Sequence, residues 1–451
     1  MGLNSLTIRQ PILGIRMQTK ANFSNAVAKK VEQVMPVAVD EFYKRAGKKG
    51  QFLNWVGLPS KQIKKVDAIY DTVNKLKNQT GAKFLTVLGI GGSKHTVEHM
   101  LGINGLNIKG DKVKFFSDID STSFARYMEQ IDNDITNSNF LVVSKSGSTF
   151  ETKDGMMRVL GKLKEKFDDG WLFKSEWEKK IAKYMVAVTG KNDATSELRR
   201  YSNEHGWLGD LYIHDDVGGR FSAFDDHALF TLAYAGMKKE DMIKMLQSAQ
   251  DVSNISMSKN LAQNQALSQA AFWSAARLDG IRDSVHQYLG EMFNSTEKWH
   301  TQMQNESIKD TSKQITKITD AMHHSSEAWY KPGNKFAFAL TAPYDQGFAK
   351  ENVEGYVKAI EKTNSDCGPS MLELLNTQGL GLSPEAAGAM TQTRAFSTVY
   401  QEILEKKALG QPLPKVLDAV LQPNVEAYKK NLKPIEGNKP PVEAGRISLN
   451  A

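Results

Sequence analysis

The chain of 451 residues lacks disulfide-forming cysteine pairs, apolar runs of membrane-spanning length, and acidic residues near its beginning. Its single cysteine, Cys367, cannot form a disulfide within the chain, and such cysteine usage is typical of a reducing compartment. No apolar run approaches the length of about 20 residues that spans a bilayer, and nothing near Met1 resembles the apolar core of a signal peptide. No acidic residue precedes Glu32, a pattern that we interpret as a basic helical N-terminus rather than an organellar presequence. We therefore expect a cytoplasmic protein that does not bind membranes.

Positive charge exceeds negative charge, with 58 Lys and Arg against 51 Asp and Glu and a formal net charge of +7. The surplus is spread in small groups, such as Lys61, Lys64 and Lys65, instead of forming one stripe. The chain also lacks zinc-ligand spacing, a recognition-helix motif and an RNP-like aromatic run, which disfavours nucleic acid as a partner. A small phosphorylated substrate accounts for the same charge bias.

Apolar segments in the first half of the chain alternate with helical patterns. The segments that indicate strands are Lys83–Gly89, Lys112–Phe116, Asn139–Val143 and Tyr184–Thr189. Such alternation predicts a parallel sheet with helices on both faces. Ligands of these sheets bind at the carboxyl ends of the strands, so the loops at those ends are candidate binding sites.

The second half of the chain shows a weaker pattern of the same kind. Its predicted strands are Asp283–Leu289 and Lys335–Thr341. Long helices are predicted near the end of the chain, over Pro384–Lys407 and Lys415–Asn431. The segment from Lys433 onwards is rich in proline, glycine and charge, so we expect a tail that lies over the surface.

The segment Ser144–Thr152 is the most informative loop of the chain. It connects the predicted strand Asn139–Val143 to a helical pattern that begins at Lys153. At such a junction, backbone N–H groups, the positive end of the helix dipole and hydroxyl groups converge on one place, which suits a phosphate. Helix N-caps favour the same residue types, so the loop by itself supports a phosphate site and a simple helix cap about equally.

The loop Gly89–Ser93 follows another predicted strand. Its glycines allow the backbone to approach a ligand closely, and Ser93 is expected to cap the following helix. Lys94 stands where a dinucleotide-binding motif has its last glycine, and the Walker A pattern is missing, so nucleotide cofactors are poorly supported. The alternative is an ordinary tight turn.

The segment His95–His99 matches the H-x-x-E-H pattern of inverted zinc peptidases. Both histidines would share one face of a helix, so zinc binding is geometrically possible. A match of this length is weak by itself, and a zinc site needs a third ligand in an open cleft. We therefore favour solvent-facing histidines and no metal.

Three further segments each allow a catalytic and an ordinary interpretation. Arg220 follows two glycines, where it either stabilises charge on a substrate oxygen or is exposed in a turn. Glu306 lies on a predicted helix one turn after Gln302 and is either a catalytic or a solvated carboxylate. The pair His323 and His324 contains either a proton shuttle or two ordinary histidines.

Taken together and in this order, these segments resemble the phosphoglucose isomerase family. The matching segments are Gly89–Ser93, Ser144–Thr152, Gly218–Ser222, Gln302–Ser307 and Gln422–Lys429. Each match is short, but their joint occurrence in order over most of the chain is specific. The resemblance implies two SIS-type α/β domains, each a three-layer αβα sandwich with a parallel sheet, with helical extensions at both ends, no cofactor and a homodimer. The implied boundaries are 1–55 for the N-terminal helical extension, 56–230 for the first domain, 231–432 for the second domain with its closing helices, and 433–451 for the tail.

The resemblance also implies roles for individual residues. The residues that would bind the sugar phosphate are Gly92, Ser93, Ser144, Lys145, Ser146 and Thr149. The implied catalytic set is Glu306 as the base, Arg220 as the group that stabilises the enediolate, and Lys429 and His324 for ring opening. Gln302 and Gln422 would orient the substrate. In this family the histidine reaches in from the partner subunit, and His323 is the adjacent alternative here.

The implied activity is the reversible isomerisation of glucose 6-phosphate and fructose 6-phosphate through a cis-enediol, without a metal. Departures from the family pattern occur at Leu421, Asn424 and Asp226, where the family usually has aspartate, glycine and a small residue. They leave the reaction type in place but bear on turnover and on strict specificity for glucose. The open alternatives are a non-catalytic sugar-phosphate-binding protein of the SIS type and an isomerase that also accepts mannose 6-phosphate.

Overall fold

The computed structural model describes the greater part of the 451 residues. The described residues are 3–10, 13–107, 110–168, 170, 174–281, 283–308, 316–319, 335–344, 351, 355, 358–359, 362 and 368–422. They form two β-sheets surrounded by helices, which confirms the predicted α/β class. Among the helices within these ranges, none is long and apolar enough to cross a membrane.

Strands and helices are numbered along the chain. The strands are β1 (Ser5–Gln10), β2 (Ile15–Lys20), β3 (Phe84–Leu88), β4 (Val113–Phe116), β5 (Ser138–Val143), β6 (Met185–Thr189), β7 (Leu208–Tyr212), β8 (Asp283–Tyr288), β9 (Thr316–Thr319), β10 (Phe336–Tyr344), β11 (Ser370–Gln378) and β12 (Gly381–Leu382). The helices are α1 (Asn25–Tyr43), α2 (Leu58–Ile63), α3 (Val66–Thr80), α4 (Gly92–Ile103), α5 (Ser121–Gln130), α6 (Phe150–Phe167), α7 (Lys174–Ala182), α8 (Glu197–Glu204), α9 (Asp226–Ala235), α10 (Lys239–Ile255), α11 (Gln265–Leu278), α12 (Asn294–Ser307) and α13 (Pro384–Ala408). The structure therefore confirms the predicted alternation of strands and helices.

The first sheet contains β3 to β7 in the order β4-β3-β5-β6-β7, and all its strands are parallel. The four strands predicted in this part of the chain are confirmed, whereas the sequence did not indicate β7. Within β5, Leu141 and Val143 belong to one apolar cluster, while Phe140 and Val142 belong to another. Successive residues of a strand point to opposite faces, so helices cover both faces of this sheet.

The second sheet is mixed rather than parallel, which corrects the prediction of two parallel sheets. Its strands follow the order β1-β2-β11-β10-β8-β9, and β12 pairs with β11 outside this path. The strands β11, β10, β8 and β9 are parallel neighbours, as in the first sheet. The pairs β1–β2, β2–β11 and β11–β12 are antiparallel. The parallel centre is therefore extended at one edge by a hairpin, which needs only a short connection.

The chain begins with strands, which corrects the prediction of a helical extension over residues 1–55. In the hairpin of β1 and β2, Ser5 pairs with Lys20. The residues of β2 are alternately buried and exposed, as expected for a strand with one face on the core. A helix does follow in α1, where the hydroxyl of Ser24 accepts a hydrogen bond from the backbone N–H of Val27.

Helix α13 confirms the long helix predicted at Pro384–Lys407. It begins with a proline directly after Ser383, whose hydroxyl accepts a hydrogen bond from the backbone N–H of Ala386. The helix packs against α1, α10 and α11 and is buried along most of its length. It therefore forms the centre of the larger apolar core, to which Val87 of the first sheet also belongs.

The second long helix, predicted over Lys415–Asn431, is wrong over its described part. Residues 415–422 contain only a short 3-10 turn at Asp418–Val420. The carboxylate of Glu402 on α13 holds this turn by accepting hydrogen bonds from the backbone N–H groups of its first two residues. The remainder of the predicted helix and the tail predicted from Lys433 lie outside the described residues.

Candidate active site

The loop Gly89–Gly91 leaves the carboxyl end of β3 and leads directly into α4. A Cβ atom on Gly92 would lie 2.7 Å from the backbone nitrogen of Arg220, so this position requires glycine. One turn further along α4, the hydroxyl of Thr96 donates a hydrogen bond to the carbonyl oxygen of Gly219 at 3.2 Å. The loop is therefore packed tightly against the segment that carries Arg220.

Ser93 does not cap α4, contrary to the expectation from the sequence. The N-cap is Gly91, which has a positive φ of 53° and makes no side-chain hydrogen bond. Ser93 lies inside the first turn, where its backbone N–H donates to the carbonyl oxygen of Ile90 at 3.2 Å. The half-buried Ser93 side chain is therefore placed at the N-terminus of a helix without acting as its cap, a location that suits an anionic ligand.

The loop that follows β5 is organised by its own hydroxyl groups. The buried Ser144 Oγ accepts a hydrogen bond from the backbone N–H of Gly147 at 3.1 Å and lies 3.2 Å from Thr149 Oγ1. Gly147 has a φ of 81°, and a Cβ atom there would lie 2.8 Å from Leu198 Cβ. Thr149 is the N-cap residue of α6 but makes no side-chain hydrogen bond to the helix. This observation removes the main support for the simple helix-cap interpretation.

The two loops lie side by side because β3 and β5 are neighbouring parallel strands. A Cβ atom on Gly89 would lie 3.2 Å from the carbonyl oxygen of Val143 and equally close to Ser93 Cβ. The exposed side chains of Lys145 and Ser146 follow directly after this point. The structure thus brings two separate sequence segments to one edge of the first sheet, at the carboxyl ends where ligands of such sheets bind.

Arg220 is fully buried, which excludes the exposed-turn interpretation. Its Nη1 donates to Glu306 Oε2 at 3.1 Å, and its Nε donates to Ser307 Oγ at 2.9 Å. Its Nη2 donates to the carbonyl oxygens of Ala419 and Leu421, the latter at 3.3 Å. Burial lowers the pKa of Arg220 to about 10, and the Glu306 carboxylate opposes this shift. The guanidinium therefore stays charged at neutral pH and is fixed by several acceptors.

The carboxylate of Glu306 accepts hydrogen bonds from three side chains. Oε1 accepts from Gln302 Nε2 at 2.9 Å, and Oε2 accepts from Gln422 Nε2 at 2.6 Å and from Arg220 Nη1 at 3.1 Å. Gln302 and Glu306 are four positions apart on α12 and thus share one face of the helix. The Glu306 side chain is 22% exposed, so the carboxylate is held in a fixed orientation but stays accessible.

Gln302 connects this carboxylate with the glycine loop. Its Nε2 lies 3.3 Å from the place where a Cβ atom on Gly91 would be. Its Oε1 is buried and has no hydrogen-bond partner within the described part of the chain. An amide oxygen in this state can accept a hydrogen bond from a ligand hydroxyl. The contacts of Gln302 and Arg220 therefore join Glu306 to the edge of the first sheet.

Four of the predicted or discussed positions lie outside the residues that the structure describes. They are His323, His324, Asn424 and Lys429. The ring-opening groups therefore stay predictions. Leu421 does lie at the site, but it contributes its main-chain carbonyl oxygen to the contact with Arg220. The loss of the usual aspartate at this position leaves that contact unaffected.

Asp226, another departure from the family pattern, is the first residue of α9 and is fully buried. Its Oδ1 accepts from Gln62 Nε2 at 2.6 Å, and its Oδ2 accepts from Lys65 Nζ at 2.8 Å. Asp226, Asp225 and His214 form the one group of possible metal ligands found among the described residues, with atoms within 4.8 Å of one another. Asp225 Oδ1 and His214 Nδ1 are hydrogen-bonded to each other at 2.6 Å. Internal hydrogen bonds therefore account for this cluster.

His99 is fully buried, which makes the prediction of solvent-facing histidines wrong at this position. Its Nδ1 lies 2.9 Å from Thr296 Oγ1, and its Nε2 lies 3.1 Å from Thr391 Oγ1. His95 is only partly exposed and its Nδ1 lies 3.0 Å from Glu98 Oε2. Because threonine hydroxyls occupy both ring nitrogens of His99, the segment does not present the paired histidine ligands of a zinc peptidase.

The sequence predicted no role for Trp299, Ser307 or Ala419, although all three contact Arg220. Trp299 Nε1 donates to the carbonyl oxygen of Arg220 at 3.0 Å. Trp299 precedes Glu306 by about two helical turns, so the helical period places both on one face of the helix. This spacing could have predicted from the sequence that Trp299 lies on the side of Glu306. Ala419 acts through its main-chain carbonyl oxygen, which no side-chain pattern reveals.

The two sheets and the helices around them define an α/β protein. A solved glucose-6-phosphate isomerase from Chlamydia trachomatis has a similar fold, with a TM-score of 0.70 at 16% identity over 95% of this chain and 88% of that chain. A hypothetical protein from Thermus thermophilus also reaches a TM-score of 0.70, at 19% identity over 92% of this chain and 98% of that chain. At these identities the likeness concerns the fold alone.

The sequence comparisons identify the family. A family model described as phosphoglucose isomerase matches residues 60–342. A glucose-6-phosphate isomerase from Mycoplasmopsis pulmonis is 25% identical over 403 residues, which covers 85% of this chain and 89% of that relative. Because the family match spans more than half of the chain, the chain belongs to the phosphoglucose isomerase family. The resemblance seen in the sequence is confirmed, and with it the expectation that the chain is an isomerase.

Proposed function

We propose that the chain interconverts glucose 6-phosphate and fructose 6-phosphate through a cis-enediol, with Glu306 as the base. The observation that carries this proposal is the environment of the Glu306 carboxylate, which is held by one guanidinium and two amides beside the glycine loop. The name of the Mycoplasmopsis pulmonis relative supplies the substrate class. The proposal thus combines an acid–base group with a neighbouring edge that suits a phosphate.

The phosphate is assigned to the loops at the carboxyl ends of β3 and β5. The residues proposed to bind it are Gly92, Ser93, Ser144, Lys145, Ser146 and Thr149. The N-termini of α4 and α6 both begin at this edge, so free N–H groups and the helix dipoles favour an anion there. Binding at the unreactive end of the sugar would hold its first carbons near Glu306, which lowers the entropic part of the barrier.

The proton transfer requires only one carboxylate. Glu306 removes the proton from C2 of open-chain glucose 6-phosphate, the C1–C2 double bond forms, and the electron pair of the C1 carbonyl moves to its oxygen. Glu306 then returns the proton to C1, where the electron pair of the C1–C2 double bond forms the new C–H bond. The C2 oxygen gives up its hydroxyl proton and becomes the carbonyl of fructose 6-phosphate, and the C1 oxygen takes up a proton and becomes a hydroxyl. The negative charge moves between the carboxylate and the enediolate, and Arg220, 3.1 Å from Glu306 Oε2, can stay beside it in both states.

The remaining assignments complete the reaction. Gln302 and Gln422 orient the hydroxyl groups, and the buried acceptor Oε1 of Gln302 supports this role. Lys429 and His324 are assigned to ring opening on the family resemblance alone. In the same way we propose a cytoplasmic homodimer in which the partner subunit supplies the histidine.

The proposal is tested by measuring the conversion of fructose 6-phosphate in the presence of a chelator. Glu306→Gln keeps the volume and removes the base, so we expect kcat to fall by a factor of about 10³ or more. The matched control is Glu129→Gln, because Glu129 is exposed near the end of α5 and belongs to none of the segments assigned to the substrate. Absence of wild-type conversion, or full activity of Glu306→Gln, would contradict the proposal. Inhibition by the chelator would instead support a metal-dependent reaction, and turnover of mannose 6-phosphate would show broader specificity.

A further inference from the structure

Arg220 is held at its main chain as well as at its guanidinium group. Trp299 Nε1 donates a hydrogen bond to the Arg220 carbonyl oxygen at 3.0 Å, and both residues are almost completely buried. Hydrogen bonds shielded from water are stronger, and breaking one leaves a buried polar group unsatisfied. Trp299 and Glu306 share one face of α12. A single helix therefore contacts both ends of Arg220, the carbonyl through Trp299 and the guanidinium through Glu306.

The indole ring of Trp299 is in turn fixed by His99. The two ring centroids lie 3.9 Å apart, and the ring planes are inclined by only 10°. Thr391 donates its own hydroxyl hydrogen to the carbonyl oxygen of Ala387 at 2.8 Å, so its oxygen is left to accept from His99. His99 thus carries its proton on Nε2, and its Nδ1 accepts from the hydroxyl of Thr296.

A neutral His99 with both nitrogens bound cannot rotate without losing a hydrogen bond. Desolvation lowers the pKa of His99 to about 3, and the positive charge of Arg394 acts in the same direction. The ring therefore stays uncharged and stays in place throughout the neutral range. Stacked on it, the indole of Trp299 is restricted to one orientation, with its N–H directed at Arg220.

We propose that Trp299 and His99 are positioning residues for Arg220, a role that rests on the proposed function of Arg220 in stabilising the enediolate. The indole N–H fixes the Arg220 backbone where it passes Gly92, and the guanidinium is thereby held 3.1 Å from Glu306 Oε2. Without this bond the backbone can shift, and the guanidinium moves relative to the reacting atoms. Such displacement lowers kcat more than it changes KM, because the contact matters most in the transition state.

The test compares two tryptophan variants. Trp299→Phe removes the indole N–H but keeps an aromatic ring against His99. The matched control is Trp55→Phe, because Trp55 is also buried, stacks on Phe221 with centroids 5.3 Å apart, and has an Nε1 without a hydrogen-bond partner among the described residues. We expect kcat for fructose 6-phosphate to fall about tenfold in Trp299→Phe, with KM changed by less than about twofold. Trp55→Phe should show a smaller loss of kcat at a similar urea midpoint.

A second pair of measurements keeps the result independent of folding and of turnover. His99→Phe keeps an aromatic partner but loses the threonine anchors, so it should lower kcat in the same direction without changing KM. Crystal structures of the wild type and Trp299→Phe should show the guanidinium of Arg220 displaced from Glu306 in the variant. An unmoved guanidinium, or a kcat equal to that of Trp55→Phe, would overturn the positioning role. A wild type without turnover would instead contradict the proposed function, and the crystal structures would still decide the positioning role.

Discussion

Gln422 Nε2 donates a hydrogen bond to Glu306 Oε2 at 2.6 Å, although the two residues are 116 positions apart in the chain. The same carboxylate oxygen accepts from Arg220 Nη1 at 3.1 Å. Arg220 also donates to the main-chain carbonyl oxygen of Leu421, directly before Gln422. One carboxylate oxygen therefore joins α12, the glycine-arginine segment and the segment that follows α13.

Replacing Gln422 by glutamate should lower kcat/KM for fructose 6-phosphate about hundredfold at neutral pH. The substitution turns a donor–acceptor pair into two carboxylates, which repel each other and lose a hydrogen bond to a charged group. The matched control is Gln411→Glu, because Gln411 is exposed shortly after α13. Steady-state kinetics on both variants check the expectation, and equal effects in the two would show that the contact with Glu306 is unimportant.

Gly92→Ala should destabilise the fold by about 2 kcal/mol, because overpacking at a close contact costs about 1–3 kcal/mol. The added Cβ would lie 2.7 Å from the Arg220 backbone nitrogen. The matched control is Gly161→Ala within α6, where a Cβ atom would meet nothing within 4 Å. That control should stabilise the chain by up to about 1 kcal/mol, since glycine is unfavourable inside a helix. Urea unfolding measures both changes. An unchanged free energy of unfolding in Gly92→Ala would mean that the glycine loop can move away from the Arg220 segment without loss of stability.

Glu373→Gln should destabilise the second sheet by about 3–5 kcal/mol, because removing one partner of a buried ion pair leaves the other charge uncompensated. Arg394 Nη2 lies 2.6 Å from Glu373 Oε2, and their side chains are only 3% and 2% exposed. The exposed pair of Lys162 and Glu165 offers the control, since Glu165→Gln should change stability by less than about 1 kcal/mol. Calorimetric or urea unfolding measures the free energy of unfolding of both variants. Equal losses in Glu373→Gln and Glu165→Gln would contradict the importance of the buried ion pair.

The chain should lose stability in mild acid because of its buried histidines. Desolvation lowers the pKa of His99 to about 3, and it lowers the pKa of His227, His286 and His300 in the same direction. An unfolded chain protonates its histidines near a pKa of about 6.5. Below about pH 6.5 the unfolded state binds protons that the folded state excludes. The free energy of unfolding therefore decreases as the pH is lowered, by up to about 1.4 kcal/mol per pH unit for each histidine.

Urea unfolding at about pH 7 and about pH 5.5 measures this dependence. His99→Phe removes one of the groups, so its stability should fall less steeply with acidification than that of the wild type, by the equivalent of about one proton. Parallel curves for the wild type and this variant would show that His99 is protonated in the folded chain.

The first sheet and its loops were predictable because their signals are local. Each strand of β3 to β6 is a short apolar run, and the glycine and hydroxyl residues follow it directly. The choice between a phosphate site and a helix cap at Ser144–Thr152 was different, because it depended on where the Thr149 hydroxyl points. The direction of that hydroxyl depends on the folded structure, and the phosphate site itself stays a prediction.

The errors arose where the deciding partner is distant in the chain. The basic residues near the beginning suggested a helix, although Ile15–Lys20 alternates between buried and exposed positions and pairs with β11. We expected the polar side chain of His99 to be exposed to solvent, but it is buried, and the hydroxyl of Thr391 on α13 supplies one of its hydrogen-bond partners. The segment after Lys415 had helical composition, yet hydrogen bonds to Glu402 hold it in a turn. In each case a tertiary contact outweighed the local preference.

The pairing of β2 with β11 has a consequence for biosynthesis. Met17 pairs with Glu373, so β1 and β2 leave the ribosome long before the strand with which β2 pairs. A hairpin of two strands is marginally stable alone, and it would leave Ile8, Ile15 and Met17, all buried in the finished protein, exposed to water in the meantime. All the strands of the first sheet, by contrast, lie within residues 84–212. Until β11 is made, we therefore expect the apolar face of this hairpin to be a binding site for a chaperone.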